Sequence, residues 1–211
     1  MASEDGPKLV IETARGAFSP NFQVDIIVNN AGFGANFSLE ECTADNFAHM
    51  YNLNTRGPLF LVKAALPYLP HDRSGRVINI SSVASSLGAP GHSIYGGTKA
   101  ALESMTRTWS RELAERATVN SINPGPVATD LWDAASPELK ANISTLNMMT
   151  PLAAVRKGID RADVVEEAQS QGGRSAYANE IAALVALLCS PDSAWSTGSV
   201  LCANGGMRFS Y

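Results

Sequence analysis

A serine, a tyrosine and a lysine lie close together in the segment SSVASSLGAPGHSIYGGTK. Ser82 precedes Tyr95 by 13 residues, and Lys99 follows that tyrosine by one helical turn. Residues at i and i+4 share a helix face, so the Lys99 ammonium is expected to lower the pKa of the phenol. Such a phenol can give a proton to a carbonyl oxygen while hydride reaches the carbon, and the serine hydroxyl can bind the same oxygen. The spacing therefore predicts a site for carbonyl reduction.

Two other kinds of catalysis fit the sequence less well. A serine hydrolase could be read from Gly91–Tyr95, but Tyr95 stands where the sharp turn around a nucleophilic serine needs glycine. His49, His71 and His92 lie far apart and have no partner at metal-ligand spacing. No metal site is predicted.

Short apolar segments alternate with helical ones along the chain. We predict a long helix over about 43–66, with Thr43 as its N-cap and a kink at Gly57-Pro58. This alternation is typical of an α/β fold with a parallel sheet and crossover helices. The predicted strands are 24–28, 76–80, 118–122 and 199–202, and the other predicted helices are 93–115 and 177–189.

The helix predicted over 93–115 carries one stripe that begins polar and becomes apolar. This pattern indicates one end at a site and the other in a core or a subunit interface. The stripe consists of Tyr95, Lys99, Leu102, Thr106, Trp109 and Leu113.

Composition limits the classes of partner. The 211 residues are 45% apolar and carry a formal charge of −4, with basic and acidic residues scattered. Neither a nucleic-acid partner nor a membrane is therefore expected. The acidic start MASEDGPKLV differs from a signal peptide, which favours a cytoplasmic location. Cys42, Cys189 and Cys202 lack CxxC spacing and are predicted to be buried free thiols.

Five motifs in order give the chain a family resemblance. They are Asn29–Gly32 after a strand, Asn54 in the next helix, NISS ending at Ser82, the Tyr95–Lys99 segment, and NPGPVATD over 123–130. With these motifs the chain resembles the short-chain dehydrogenase/reductases of the compact, single-domain type, over about residues 7–207. The resemblance implies an NAD(P)(H)-dependent oxidoreductase that interconverts a ketone and a secondary alcohol.

The resemblance also implies roles for individual residues. Tyr95 is the expected acid/base, Lys99 lowers its pKa and binds the nicotinamide ribose, Ser82 binds the substrate carbonyl, and Asn54 supports a relay water. Without the other motifs, Asn54 reads as a residue that ties down a loop, and Thr129 as a helix cap. The remaining residues expected at the cofactor, NADP or NAD with NADP favoured, are Asn29, Ala31, Gly32, Pro124, Gly125, Val127 and Thr129.

The beginning of the family's fold has no counterpart in this sequence. In a doubly wound Rossmann-like sheet, the segment 24–28 corresponds to the fourth strand, and the Gly-rich pyrophosphate turn comes before it. We therefore predict a single, N-terminally truncated Rossmann-like domain over 1–211, containing the catalytic half from the fourth strand onward. Its first strand would be an open sheet edge. The alternative is a truncated non-catalytic relative that acts as a binding module.

Two C-terminal stretches lie outside the strand and helix pattern. Residues 130–150 are predicted to form either a lid or an ordinary surface loop with a short helix, and 156–175 to form a solvated insertion. The resemblance implies a homo-oligomer formed through the two long helices. An apolar ketone or alcohol substrate is expected from the lid residues Leu131, Trp132, Leu146, Met148 and Met149.

Overall fold

The computed structural model describes residues 1–18 and 20–209, and a four-stranded parallel sheet lies at its centre. The strands are adjacent in chain order and every pair is parallel. Each lies within two residues of its predicted position. The strands are β1 Ile26–Asn29, β2 Gly75–Ile80, β3 Ala117–Pro124 and β4 Val200–Ala203.

Helices connect the strands and cover both faces of the sheet, as the alternating pattern predicts. The helix predicted over 93–115 ends earlier, at Glu112, and the one predicted over 177–189 is confirmed. The α-helices are α1 Gly6–Phe18, α2 Ala44–Tyr51, α3 Gly57–Ala65, α4 Ala84–Leu87, α5 Ser93–Glu112, α6 Asp130–Asp133, α7 Pro137–Met149, α8 Ala162–Gln171 and α9 Ala178–Cys189.

The helix predicted over 43–66 is interrupted by a π-helical turn. Thr43 caps α2 as predicted, since its Oγ1 accepts a hydrogen bond from the Asn46 N–H at 3.1 Å. The π-helical turn Asn52–Arg56 separates α2 from α3, one turn before the predicted kink at Gly57-Pro58. Proline is tolerated in the first turn of a helix, so the pair begins α3 rather than bending it.

Two apolar clusters hold the helices against the sheet. One cluster lies under α1, α3 and α5, and the other lies under α9. Leu102, Trp109 and Leu113 are buried in the first cluster, so the apolar end of the α5 stripe lies in a core. The second cluster contains Ile78, Ile122, Leu188 and Ala203.

Strand β1 is the edge of the sheet among the described residues. Ile27 and Asn29 are buried, whereas Ile26 and Val28 are 50% and 40% exposed. In register, Val28 lies beside Ile78, on the face that α9 covers further along the sheet. The apolar sequence of β1 suits a strand covered on both faces. Among the described residues, only one face of β1 is covered.

The C-terminal stretches are helical. Residues 130–150 form α6 and α7, and the Ser136 hydroxyl caps α7 by accepting from the Leu139 N–H at 3.2 Å. The centre of the stretch predicted as a solvated insertion, 156–175, forms α8, and most of its residues are exposed. Ala168 and Gln171 of α8 are buried, and Asn147 donates to the Gln171 carbonyl at 3.0 Å. The apolar residues of α8 recur at helical spacing and pack against α7.

No helix in the described ranges combines the length and the apolar character needed to cross a membrane. Cys42, Cys189 and Cys202 are free, and each is half-buried rather than buried as predicted. Cys42 follows a 3₁₀ turn at Leu39–Glu41 and directly precedes Thr43, the N-cap of α2.

Candidate active site

The structure brings Ser82, Tyr95 and Lys99 together at the carboxyl end of β2. Tyr95 and Lys99 lie on the first turns of α5, with the Lys99 Nζ 5.8 Å from the centre of the Tyr95 ring. Ser82 follows β2, and its Oγ accepts a hydrogen bond from the Ala84 N–H at 3.2 Å. Ser82 also lies close enough to the Tyr95 phenol to favour its ionised form. This juxtaposition is the one expected from the spacing in the sequence.

Burial governs the ionisation of this group. Desolvation raises the pKa of Tyr95 above its usual value, and the hydrogen bond from Ser82 acts in the opposite direction but is the weaker cause. The direction is therefore opposite to the predicted one. Lys99 donates from Nζ to the Ile80 carbonyl at 2.8 Å, and burial lowers its pKa to about 8. Both groups favour their neutral forms because charge is poorly solvated there.

Asn54 lies in the π-helical turn and is 1% exposed. Its amide donates to the Phe33 carbonyl at 2.8 Å and to the Thr98 Oγ1 at 3.1 Å. Its Oδ1 accepts from the Phe33 N–H at 2.9 Å. The side chain thus ties the loop after β1 to the start of α5, as the loop-tying alternative predicts.

The three residues predicted from the β1 motif do not share one environment. Asn29 is buried and donates to the Asn79 Oδ1 at 2.7 Å, so its amide cross-links β1 to β2. Ala31 and Gly32 are exposed beyond the end of the strand. A Cβ on Gly32 would lie 3.4 Å from the Lys99 Nζ and would crowd the side chain of Asn54.

The segment after β3 lies beside Ser82. Pro124 is buried and its carbonyl accepts from the Val83 N–H at 2.9 Å. Gly125 packs against Asn204, since a Cβ there would lie 3.4 Å from the Asn204 Cβ. Val127 forms an isolated parallel bridge with residue 176. Thr129 precedes α6 without capping it, because its hydroxyl donates to the Val127 carbonyl at 3.1 Å.

Two residues of the site are missing from the sequence-based set. Glu103 accepts hydrogen bonds from side chains at the ends of β2 and β3. Its position one turn after Lys99 on the same helix face is a signal that could have found it. His92 lies 5.7 Å from Tyr95 between ring centres, and its buried Nδ1 has no partner among the described residues. Burial lowers the pKa of His92.

The space beside Lys99 fits part of a dinucleotide. Glycine at position 32 leaves open the surface next to the Lys99 ammonium and Asn54, which a Cβ would fill in van der Waals contact. Pro124 and Gly125 border the same region from β3, next to Ser82. These residues suit the nicotinamide and its ribose. In the described ranges, no group of His, Cys, Asp and Glu side chains could hold a metal ion.

Comparison with known proteins finds similar sequences that align with most of the chain. The family profile described as short chain dehydrogenase matches residues 2–140. The L-xylo-3-hexulose reductase of Hypocrea jecorina is 45% identical over 225 aligned positions, which span 96% of this chain and 74% of that protein. The L-xylulose reductase of Aspergillus niger is also 45% identical, over 88% of this chain and 67% of its own.

A solved structure gives the same result for the fold. The blue fluorescent protein from a metagenomic library, determined in complex with NADPH, superposes with a TM-score of 0.78 and 29% sequence identity. The match covers 99% of this chain and 73% of that one. The Rossmann-like α/β fold predicted from the sequence is thereby confirmed.

Proposed function

The chain belongs to the short-chain dehydrogenase family and is an oxidoreductase that interconverts a ketone and an alcohol, and we propose that Tyr95 exchanges the proton at the substrate oxygen. The single observation that carries this proposal is the position of the Tyr95 phenol, which lies with Ser82 and Lys99 at the carboxyl end of β2. When bound, the nicotinamide supplies or accepts the hydride. The non-catalytic alternative is not favoured.

At neutral pH the Tyr95 phenol carries the proton that reduction requires. A raised pKa keeps Tyr95 protonated at neutral pH, so the phenol can donate to the carbonyl oxygen as negative charge develops there. Ser82 offers a second hydroxyl to the same oxygen, held in place by the Ala84 N–H. In the reverse direction the same phenol oxygen receives the proton of the alcohol.

Lys99 and Asn54 support this pair. Lys99, which holds the Ile80 carbonyl, is proposed to hold the nicotinamide ribose with its remaining N–H groups. Asn54 is proposed to act through the Phe33 loop, since its amide is committed to that backbone. The relay water expected from the family resemblance stays a prediction.

The cofactor is a nicotinamide dinucleotide, and we favour NADP over NAD. The NADPH complex of a structural neighbour supports this choice. We propose that Tyr95 and Lys99 border the nicotinamide ribose and that Ala31 and Gly32 border the adenosine-side ribose. Pro124, Gly125, Val127 and Thr129 border the carboxamide. Asn29 supports that surface from beneath through Asn79.

The N-terminal truncation also stays a prediction. The relatives align with 96% and 88% of this chain, while the chain spans 74% and 67% of their lengths. The exposed Ile26 and Val28 of β1 support the proposal that further strands pair with this edge in a longer form of the protein.

We propose a polyhydroxylated ketone, such as a ketose, as the substrate. The names of the two relatives support this class. His92, whose ring centre lies 5.7 Å from that of Tyr95, adds a polar side chain beside the phenol that suits a hydroxylated substrate better than an apolar one. The apolar substrate predicted from the lid is the second candidate. Its support is weaker because Met148 and Met149 are 69% and 70% exposed.

Steady-state turnover tests the proposal. The purified chain is assayed with NADPH and with NADH, using L-xylulose as the ketose and cyclohexanone as an apolar ketone. We expect NADPH oxidation with L-xylulose and its loss in a Tyr95→Phe variant. Full activity of Tyr95→Phe would exclude Tyr95 as the acid/base, and a preference for cyclohexanone would favour the second candidate.

A cytoplasmic homo-oligomer is the remaining part of the proposal. Phe47 on α2 and Leu59 and Phe60 on α3 are partly exposed on the helices predicted to meet in the interface. Sedimentation of the purified chain checks this point, and a monomer at micromolar concentration would contradict it.

A further inference from the structure

Glu103 lies one turn after Lys99 on α5, and one oxygen of its carboxylate binds three side chains. Its Oε1 accepts hydrogen bonds from the Ser81 Oγ at 2.6 Å, the Ser85 Oγ at 2.8 Å and the Asn123 Nδ2 at 2.9 Å. A carboxylate accepts hydrogen bonds and donates none, so all three partners are oriented as donors. Such charge-assisted bonds are stronger than neutral ones.

The three donors come from two strand ends that flank the reacting groups. Ser81 directly precedes Ser82, and Ser85 lies in α4, next to the Ala84 N–H that holds the Ser82 hydroxyl. Asn123 directly precedes Pro124 and the segment proposed to border the nicotinamide. One carboxylate oxygen therefore joins both segments to the helix that carries Tyr95.

Lys99 makes a parallel link one turn earlier. Its ammonium donates to the Ile80 carbonyl, while Glu103 accepts from the Ser81 hydroxyl. The end of β2 is thus fastened to α5 at two successive residues, by a cation and by an anion. The Ser81 hydroxyl also lies 3.3 Å from the Lys99 carbonyl, so the residue after β2 contacts the backbone of α5 as well as its side chains.

We propose that Glu103 is a positioning residue that sets where Ser82 and the Pro124-Gly125 segment lie relative to Tyr95. This inference rests on the proposed function. Glu103 acts through its three hydrogen-bonded neighbours rather than on the substrate. Because two hydroxyl groups must meet one carbonyl oxygen, a displacement of about 1 Å between them can cost about 100-fold in rate.

A series of substitutions separates the acceptor from the charge. Glu103→Leu removes the acceptor, whereas Glu103→Gln keeps a carbonyl oxygen at the same reach without the charge. Glu112→Gln is the matched control, since Glu112 lies on the same helix and is exposed. We expect kcat for ketose reduction to fall about 100-fold in Glu103→Leu, with KM nearly unchanged, because the reacting groups are misplaced. Glu103→Gln should recover part of that loss, and the control should match the unsubstituted chain.

Amide hydrogen exchange of the same proteins provides a readout that does not need turnover. We expect faster exchange confined to residues 81–86 and 123–125 in Glu103→Leu, and a smaller change there in Glu103→Gln. Unaltered exchange in both segments would overturn the proposal, as would an unchanged kcat in Glu103→Leu. Uniformly faster exchange in Glu103→Gln would also overturn it, because the role would then be general stability.

Failure of the proposed function is distinguishable from failure of this inference. If the unsubstituted chain turns over neither ketone, the reductase proposal fails for this chain, and the local exchange pattern still decides whether Glu103 positions the two segments. If Glu103→Leu does not fold, Glu103→Gln is compared with Glu112→Gln. Their kcat values and amide exchange rates then decide whether Glu103 is a positioning residue.

Discussion

The two halves of helix α5 have different functions: the first half makes polar contacts at the candidate active site, and the second half packs in the core. The first half presents Tyr95, Lys99 and Glu103 to the ends of β2 and β3, where they bind hydroxyl groups, amides and a carbonyl. The second half places Trp109 in the apolar cluster between the helix and the sheet, and Leu113, which directly follows the helix, lies in the same cluster. Thr106 marks the transition, since its hydroxyl accepts from the Asn79 amide at 2.8 Å.

This difference shows how one helix can carry reactive groups at one end and keep the apolar residues at its other end buried. The polar end is buried as well, so each polar side chain there needs a partner, and the structure supplies one for Lys99, Ser81 and Glu103. The apolar end needs only close packing. Substitutions in the two halves should therefore change different measurable quantities.

The largest expected effect is on turnover in the polar half. Tyr95→Phe removes one hydroxyl from the site, so ketone reduction should fall by about 1000-fold because general acid catalysis is lost. The melting temperature should change little. Tyr68→Phe is the control, since the Tyr68 hydroxyl contacts Arg15 away from the site. Equal loss of activity in both variants would contradict the separation between the halves.

The next effect is on stability in the apolar half. Trp109 is 6% exposed, and Trp109→Ala should lower the free energy of unfolding by about 3–5 kcal/mol through lost packing. Urea denaturation measures this change. Trp195→Ala is the matched control, because the Trp195 side chain is fully exposed, and its effect should stay within about 0.5 kcal/mol. Similar losses in both would show that the core contact of Trp109 contributes nothing.

The stripe was largely predictable from the sequence because its spacing repeats with the helix. The same periodicity, with the apolar strand segments, predicted where the strands lie along the chain and where the reactive groups lie. The hydrogen-bond partners were not predictable, because they depend on which strand ends lie side by side. Glu103 meets Ser81 and Asn123, which are 22 and 20 residues away in sequence.

The burial and the partners of a side chain also could not be predicted from the sequence. The i, i+4 spacing of Tyr95 and Lys99 predicted a lowered phenol pKa, but the burial of Tyr95, which raises it, follows from tertiary packing. Asn54 shows the same limit, since its commitment to the Phe33 backbone requires the fold of the loop after β1. Helix α8 was not predicted because its sequence is mostly charged and polar, and its apolar face is short.

A smaller effect is expected where α5 meets α4. A Cβ on Gly96 would lie 2.6 Å from the Ala84 carbonyl oxygen, whereas one on Gly97 would meet only the end of the Tyr51 side chain at 2.7 Å. Alanine gains about 1 kcal/mol over glycine in a helix, but overpacking against backbone costs about 1–3 kcal/mol. Gly96→Ala should therefore lower both the urea midpoint and turnover.

Gly97→Ala is the control for this pair, because a side chain can rotate away more easily than a backbone carbonyl can move. Its stability should be unchanged or slightly higher. If Gly96→Ala proved as stable and active as Gly97→Ala, the contact between α4 and α5 would be loose, and the position of Ser82 would have to be set elsewhere.

The smallest effect is a pH dependence that belongs to the polar half alone. The pKa of Lys99 is lowered from 10.5 to about 8 in the folded chain, so the folded state binds this proton less tightly than the unfolded state. Between pH 8 and pH 10, Lys99 should therefore make stability rise with pH, by at most about 1.4 kcal/mol per pH unit. Below pH 8 this contribution is lost.

Urea denaturation at pH 7, 8, 9 and 10 isolates the contribution of Lys99. Lys99→Met has no titrating group at this position. The unfolding free energy of the unsubstituted chain, minus that of the variant, should therefore increase as the pH rises above 8. Lys63→Met should leave the pH profile unaltered, since Lys63 is exposed on α3. A difference between Lys99→Met and the unsubstituted chain that stays constant from pH 8 to 10 would mean that Lys99 keeps its proton in the fold. The polar half of α5 would then hold a buried ammonium through its bond to the Ile80 carbonyl.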